Sequence, residues 1–295
     1  MLEAASTHDM SADAKPLRIA QLSDIHCGEL TFDDKRMESI VQDVNEMAPD
    51  LVIVAGDLTA AGYEWEFAQA ADWLGQIDCP LVVVPGNHDA RNVGYLHFEH
   101  YFGDRFSRYR KSFDADQATA LGAPGMTVVA VDSSEPDLNE GQIGRERYPW
   151  IRQQFTNPDD LTLFVIHHHL VAIPGTGRER NTINDAGDVL AELSQLGIDV
   201  VLSGHKHVPY FWGISGLLIC NSGTATTKRL RGLTPSSWNE LEVDGQAIRV
   251  YLHYEDGRRE LACVRSRGTR AMVREGFYIT DEFLATNHLL PPRLP

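Results

Sequence analysis

Short apolar runs alternate with amphipathic segments over the first two thirds of this chain. Five runs of mostly apolar residues predict buried strands, at 17–22, 51–55, 81–84, 161–166 and 198–202. Three intervening segments place apolar residues at the i, i+3, i+4, i+7 spacing of a helix, at 33–47, 64–74 and 185–196. Strands that alternate with helices of this length predict βαβ units and a largely parallel sheet.

The pattern changes after residue 207. Four short strand-like runs with glycine-containing turns indicate a second, antiparallel sheet, at 208–212, 217–220, 238–243 and 247–252. Segment 127–131 predicts one more buried strand, whereas 98–111 is aromatic and basic and has no clean period. We therefore predict an α/β fold of the sandwich kind, with two mixed β-sheets packed face to face and flanked by helices.

Three regions are predicted along the chain: a disordered tail at 1–15, one large domain at 16–254 and a C-terminal extension at 255–295. The extension is charged, then partly apolar, and ends in a proline-rich stretch. It is either an arm that packs on a partner subunit and builds a homo-oligomer, or a frayed tail.

Composition narrows the possible partners. The formal net charge is −16, which argues against binding to duplex nucleic acid, because that binding needs clustered Lys and Arg. A small phosphorylated substrate stays possible, since bound divalent cations can reverse the local field. The N-terminal region lacks the features of a secretory signal, and no run approaches the ~18 apolar residues of a membrane helix. We expect a cytoplasmic protein without membrane contact, whose four distant cysteines are reduced thiols.

Each of the five apolar runs is followed by one or two side chains that could bind a metal. These are Asp24, His26, Asp57, Asn87, His167, His205 and His207. Because ligands bind beyond the carboxyl ends of the strands in an open α/β sheet, we expect all of them at one edge of one sheet. Carboxylate and amide oxygens mixed with imidazole suit Fe, Mn or Zn. Seven ligands are too many for one ion and suit two that share a carboxylate, so the pattern predicts a dinuclear metallohydrolase.

The motifs D-I-H, G-D-L-T, G-N-H-D, I-H-H-H and G-H-K-H occur in this order. In order and spacing the chain resembles the calcineurin-like metallophosphoesterases, most closely the bacterial class III cyclic-nucleotide phosphodiesterase branch. The resemblance covers roughly 17–254 and implies that the large domain is catalytic. It also implies a ligand allocation, in which Asp57 bridges two metal ions. The first ion would be bound by Asp24, His26 and His207, and the second by Asn87, His167 and His205.

Residues near the third motif are expected to contact the substrate. By resemblance, His88 contacts the transferring phosphoryl group or protonates the leaving alkoxide, although a hydrogen-bonded structural role is the alternative. Asp89 is expected to orient His88 or the turn, a task that holds imidazoles in place around metals. Arg91 and Asn92 are candidate substrate contacts, and His169 is either a third substrate contact or a structural histidine.

Two enzyme functions and one other function are compatible with these motifs. The resemblance implies a metal-dependent phosphodiesterase that hydrolyses cyclic nucleotides or glycerophosphodiesters by attack of a metal-bridging hydroxide. The alternative is a phosphomonoesterase or phosphoprotein phosphatase, because the same motifs serve all of these. A non-catalytic protein-binding scaffold would be expected to lack a ligand or His88, and this chain retains every one of them.

Overall fold

The computed structural model describes residues 15–174, 176, 182–227 and 234–274. The predicted tail before Lys15 and the last part of the predicted extension, 275–295, lie outside the described residues. The strands are β1 (Leu17–Leu22), β2 (Leu51–Ala55), β3 (Leu81–Val84), β4 (Phe106–Ser112), β5 (Gly125–Val131), β6 (Leu161–Val165), β7 (Val200–Ser203), β8 (Tyr210–Ile214), β9 (Leu217–Asn221), β10 (Ser237–Val243), β11 (Ala247–Tyr254), β12 (Arg259–Ser266) and β13 (Met272–Arg274). The helices are α1 (Asp34–Met47), α2 (Glu64–Leu74), α3 (Gly94–Phe102), α4 (Ala115–Leu121), α5 (Tyr148–Gln154) and α6 (Ala186–Gln195), with a 3-10 helix at Arg145–Arg147.

These strands form two mixed sheets. One has the order β13-β12-β11-β10-β1-β2-β3, and the other has the order β4-β5-β6-β7-β9-β8. Strands β1, β2 and β3 are parallel to one another, and so are β5, β6, β7 and β9. The predicted fold class, two mixed sheets face to face with flanking helices, is confirmed.

Side chains alternate between the two faces of each strand, so each sheet has one face toward the other sheet and one face toward helices. Ile19 of β1 and Leu163 of β6 belong to one buried cluster between the two sheets. Leu22 points to the opposite face of its sheet, where it packs with Met37 of α1 and Phe67 of α2. Helices α5 and α6 cover the outer face of the second sheet in the same way. Both faces of the parallel strands are therefore buried, which explains their nearly continuous apolar runs.

The expectation of a separate antiparallel sheet after residue 207 is wrong. Strands β8 and β9 join the sheet of β4–β7, whereas β10 pairs with β1 and begins an antiparallel extension of the other sheet. Apolar alternation shows that a strand has a buried face. It carries no information about which strand lies beside it.

The predicted helices agree with the structure within one or two residues. Asp33 caps α1 by accepting a hydrogen bond from the backbone N–H of Arg36 (3.3 Å), so this helix begins one residue later than predicted. The segment 98–111 had no clean period because it contains the end of α3 and most of β4. None of the helices in the described ranges is long and apolar enough to cross a membrane.

The first sheet continues past the boundary that the sequence predicted at Tyr254. Strand β12 pairs antiparallel with β11, and its Cys263 is fully buried between the sheets. Residues 255–274 are therefore integral to the sheet. That 275–295 form an oligomerisation arm stays a prediction.

Candidate metal centre

The seven candidate ligands converge from both sheets, so the expectation of one edge of one sheet is wrong. The loops after β1, β2 and β3 carry four of them, and the loops after β6 and β7, in the other sheet, carry three. Backbone hydrogen bonds join the loops: Asp24 N–H donates to Gly56 O (3.0 Å), and Gly204 N–H donates to His167 O (3.0 Å). A third bond crosses between the sheets, from the backbone N–H of His205 to Oδ2 of Asp24 (2.9 Å).

Three buried side chains form the first group, Asp24, His26 and His207. Oδ1 of Asp24 lies 3.3 Å from Nε2 of His207 and 3.8 Å from Nε2 of His26. The two imidazole Nε2 atoms are 3.1 Å apart. All three ligand atoms therefore face one small space.

The second group contains Asp57, His167 and His205. Oδ2 of Asp57 lies 3.3 Å from Nε2 of His167 and, toward the first group, 3.8 Å from Nε2 of His26. Asn87 adds an amide oxygen 3.0 Å from Nδ1 of His205. Asp57 thus lies between the two groups, at the place that a bridging carboxylate would occupy.

Two divalent ions fit these side chains. Metal bonds of about 2.1 Å place neighbouring ligand atoms roughly 3.0–3.5 Å apart, close to most of the distances above. Oδ1 of Asp24 and Nε2 of His167 are buried without a hydrogen-bond partner. A buried polar atom without a partner costs about 1–3 kcal/mol, and a bound cation removes that cost. Which ligand binds which ion stays a prediction.

The ligand loops have an unusual backbone conformation. Five of the seven candidate ligands have φ in the left-handed region: Asp24, His26, Asp57, His205 and His207. Asp and His tolerate this region better than most residues, but each such position still costs energy. Strain that clusters at one place is typical of functional sites.

Glycines precede ligands where the loops approach most closely. A Cβ atom on Gly56 would lie 2.5 Å from Nδ1 of His167, and one on Gly86 would lie 2.2 Å from Oδ1 of Asp57. The glycines of the G-D-L-T and G-N-H-D motifs therefore make room for a ligand from another loop.

Buried charges in the centre are strongly coupled. Burial raises the pKa of Asp24, but attraction and hydrogen bonding to His207, together with attraction to His167, outweigh burial and lower that pKa to about 2. Burial lowers the pKa of His167, but the carboxylates of Asp57 and Asp24 and a hydrogen bond to Ala55 O together outweigh burial and raise that pKa to about 9. Burial also lowers the pKa of His26 to about 4. The carboxylate of Asp24 is therefore ionised at neutral pH, as a metal ligand must be.

His88 lies at the edge of the first group. Its Nδ1 is 2.6 Å from Ala60 O. A carbonyl oxygen only accepts, so Nδ1 carries a proton and donates this hydrogen bond. Its ring centroid is 4.7 Å from that of His26. The backbone N–H of His88 donates to Oδ1 of Asp57 (2.9 Å). His88 is therefore half-buried beside the candidate ligands.

Asp89 binds the backbone of the ligand loops. Its carboxylate accepts from Leu58 N–H (3.0 Å), Thr59 N–H (2.9 Å), Thr59 Oγ1 (2.7 Å) and Gly86 N–H (2.8 Å). Of the two tasks expected from the sequence, these contacts describe the one that orients the turn.

The candidate substrate contacts Arg91 and Asn92 differ in their burial and in their partners. Arg91 is half-buried, with Nη1 3.1 Å from Nδ1 of His88. Asn92 is exposed, and its side chain donates to Ala61 O (3.0 Å).

His169 does not fit the expected contact with substrate. It is fully buried, and its Nε2 binds Gly204 O. Burial lowers its pKa to about 3, so it is neutral at physiological pH. The motif I-H-H-H therefore contains one candidate ligand, His167, followed by two buried histidines.

Asn139 lies outside the five sequence motifs but contacts two of the candidate site residues. Its side-chain oxygen accepts from Nη2 of Arg91 (3.0 Å) and from Nδ2 of Asn87 (3.4 Å). The loop that carries it follows β5, which is parallel to β6. The rule that ligands lie beyond parallel strands could have drawn attention to this loop, because the run 127–131 was predicted as a strand.

Comparisons with known proteins show which family and which fold this chain resembles. A family model described as calcineurin-like phosphoesterase matches residues 17–209. A probable cyclic nucleotide phosphodiesterase of Synechococcus sp. is 26% identical over 84% of this chain and 96% of its own length. A probable glycerophosphodiester phosphodiesterase of Arcobacter nitrofigilis is 28% identical over 64% of this chain and 71% of its own length. Among solved structures, a dimetal phosphatase from Danio rerio superposes with a TM-score of 0.60 at 11% identity, over 83% of this chain and 96% of that one.

Proposed function

This chain belongs to the calcineurin-like phosphoesterase family, and we propose that within it the chain is a phosphodiesterase that acts on small phosphodiesters. Membership makes it a metal-dependent phosphoester hydrolase. The narrower proposal names cyclic nucleotides or glycerophosphodiesters as substrates, because the relatives above carry those two names. Its principal structural support is one arrangement: two buried ligand groups that meet at Asp57, with His88 beside them.

We propose the seven predicted residues as the metal ligands, with Fe, Mn or Zn as the ions. Support comes from the mixed oxygen and imidazole donors, the two buried atoms without partners and the short distances between ligand atoms. When bound, such ions act as Lewis acids and lower the pKa of water toward ~7.

Side chains around the ligands would bind the substrate and transfer protons. With both ring nitrogens protonated, His88 would protonate the leaving oxygen or donate a hydrogen bond to the phosphoryl group from Nε2, the nitrogen that Ala60 does not contact. The guanidinium of Arg91, beside His88, would attract the negative charge of the phosphodiester. Groups held in place before the reaction stabilise developing charge without reorganising, which is where much enzymatic rate enhancement originates.

The alternative functions share the same centre. A phosphomonoesterase or phosphoprotein phosphatase needs the same ligands, and selectivity comes from the surrounding loops. A non-catalytic scaffold has less support, because every candidate ligand and His88 lies in the cluster described above. Cytoplasmic location and a homo-oligomer built by the C-terminal arm stay predictions from the sequence.

A substrate panel tests the proposal. Purified protein loaded with Mn²⁺, Fe²⁺ or Zn²⁺ is assayed with cyclic AMP, a glycerophosphodiester, bis-p-nitrophenyl phosphate and the monoester p-nitrophenyl phosphate. We expect kcat/KM for a diester to exceed that for the monoester. Monoester turnover far above diester turnover would favour the phosphatase instead.

Ligand variants test the centre itself. We expect Asn87→Ala and His207→Ala to lose metal, measured by elemental analysis, and at least 100-fold in diesterase kcat. His100→Ala, at an exposed position of α3, is the matched control and keeps both. Full activity in the two ligand variants would show that the allocation is wrong.

A further inference from the structure

The loop between β5 and the 3-10 helix rests on a buried histidine of the metal centre. His168 is fully buried, and its ring centroid lies 4.6 Å from that of the candidate ligand His205. Its Nδ1 lies 2.8 Å from Oγ of Ser133, and its Nε2 lies 3.2 Å from the backbone oxygen of Asn139. The loop also closes on itself, because Gln142 N–H donates to Ser133 O (3.0 Å). These contacts therefore fix the backbone of Asn139 close to the candidate ligands.

From that place the side chain of Asn139 reaches a candidate metal ligand. Its Oδ1 accepts from Nδ2 of Asn87 at 3.4 Å, a long and therefore weak hydrogen bond. The opposite end of the Asn87 amide, Oδ1, lies 3.0 Å from His205 and faces the ligand group. Only the oxygen of an amide can bind a cation, since its nitrogen has no free lone pair. An acceptor at Asn139 thus favours the amide orientation that metal binding requires.

The same oxygen also holds Arg91. Nη2 of Arg91 donates to Oδ1 of Asn139 (3.0 Å), while Nη1 donates to Ala60 O (3.5 Å). A guanidinium is a planar fork, so a contact on each arm sets its orientation. A long flexible side chain that is already oriented loses less entropy when it binds an anion.

We propose that Asn139 is a positioning residue that couples the metal ligand Asn87 to the phosphate-binding Arg91 through one shared oxygen. The inference rests on the proposed function and deepens it. It assigns to an exposed loop residue, outside the five motifs, two separable effects: one on metal affinity and one on substrate binding.

Three variants separate the two effects. Asn139→Leu keeps the approximate size and removes the acceptor, Asn139→Ala removes it without adding apolar surface, and Asn139→Asp keeps oxygen acceptors. Asn157→Leu, on the loop before β6, is the matched control. Thermal unfolding of the metal-free proteins identifies any variant that fails to fold, in which case Asn139→Ala replaces Asn139→Leu.

Metal affinity is measured by calorimetric titration with Mn²⁺ alone, without any substrate. We expect Asn139→Leu and Asn139→Ala to weaken one of the two binding events by about 10–100-fold, the usual effect of losing an outer hydrogen bond to a ligand. Asn139→Asp and Asn157→Leu keep wild-type affinity or better. Wild-type affinity in Asn139→Leu and Asn139→Ala would overturn the coupling to Asn87.

Substrate binding is measured as KM for bis-p-nitrophenyl phosphate at saturating Mn²⁺. We expect Asn139→Leu to raise KM by about tenfold, the size of one charge-assisted contact, with a smaller change in kcat. The same substitution made in an Arg91→Ala background leaves KM unchanged, because the positioned group is already gone. Additive effects on KM would overturn the coupling to Arg91. A wild-type protein without diesterase activity would instead refute the proposed function, and the titration with Mn²⁺ would still decide the part that concerns Asn87.

Discussion

A Cβ atom placed on Gly86 would lie 2.2 Å from Oδ1 of Asp57, the carboxylate between the two candidate metal sites. Real Cβ atoms do not approach this closely, so either the G-N-H-D loop or the carboxylate must move. We expect Gly86→Ala to fold but to lose at least 100-fold in diesterase kcat/KM and to bind less metal, since both ligand groups depend on Asp57. Activity assays and elemental analysis of the purified variant measure this.

The control is Gly187→Ala in the first turn of α6. A Cβ atom there meets nothing within 4 Å, and alanine is the better helix former. This variant should match or slightly exceed wild-type stability, with unchanged activity. If Gly86→Ala behaved in the same way, the ligand loops would be less rigid than the structure indicates.

Asp89 holds the ligand loops together without belonging to the proposed ligand set. Its buried carboxylate accepts four hydrogen bonds, whereas the asparagine of Asp89→Asn offers one oxygen acceptor and adds an NH₂ donor among backbone donors. We expect a loss of about 2–3 kcal/mol in the free energy of unfolding, from buried N–H groups left without partners. Urea denaturation of the metal-free protein measures it, and a loss below 0.5 kcal/mol, a size that is ordinary for surface positions, would contradict it.

Val93 is a β-branched residue with φ of 57°, next to Arg91 and Asn92. The left-handed region is strained for a branched side chain, and Val93→Gly removes that strain. We expect a gain of about 1 kcal/mol in the free energy of unfolding, after allowing for the greater entropy of glycine in the unfolded chain. Ala48→Gly, at the left-handed C-cap of α1, is the reference for the same relief far from the site. A destabilised Val93→Gly beside a stabilised Ala48→Gly would mean that the Val93 side chain has a packing role.

Removal of metal should lower stability as well as activity. The ligand groups bring carboxylates and imidazoles together on strained backbone, and bound ions stabilise only the folded arrangement. An ion at 100 times its Kd adds about 2.7 kcal/mol to the free energy of unfolding. We therefore expect a chelator to lower Tm and abolish activity, and added Mn²⁺ or Zn²⁺ to restore both. Differential scanning fluorimetry measures the shift, and the Tm of Asp57→Ala should respond far less.

Glu240 gives the folded protein a dependence on acid pH that is separate from the metal centre. Burial raises its pKa, but hydrogen bonds from His253 (2.7 Å) and Arg259 (2.8 Å) outweigh it and lower that pKa from 4.5 to about 2. A lowered pKa in the folded state means that this stabilisation is fully present above pH 4.5 and is lost as pH falls from 4.5 to about 2. Its size is about 1–2 kcal/mol once screening by water is allowed for.

Urea denaturation at several pH values tests this assignment. Glu240→Gln should flatten the fall in the free energy of unfolding below pH 4.5. The exposed Glu38→Gln on α1 should leave it as in the wild type. Equal slopes for wild type and Glu240→Gln would refute the assignment.

A site residue can be predicted from the sequence only where the pattern that marks it lies in neighbouring residues. Asp57 and Asn87 could be found because each follows a short apolar run, and strand ends are readable from neighbouring residues alone. For Asn139 the strand-end signal indicates only the loop after β5, because the residue itself is marked by contacts with Arg91 and Asn87, about fifty positions away along the chain. For His169 the sequence leaves a substrate contact and a structural role both open, because its burial against Gly204 depends on a segment distant in the chain.

The amino-acid sequence by itself determined strands β1–β3 and β5–β11, helices α1, α2 and α6, and the set of side chains able to bind metal, because hydrophobic period and ligand chemistry are properties of short segments. Only the tertiary structure decided that β8 and β9 join one sheet while β10–β13 extend the other, and that the ligands meet across both. Strand pairing depends on contacts between distant segments. The alternation of apolar and polar residues in one strand is compatible with several neighbouring strands. The packing of the whole chain therefore determines which strands pair.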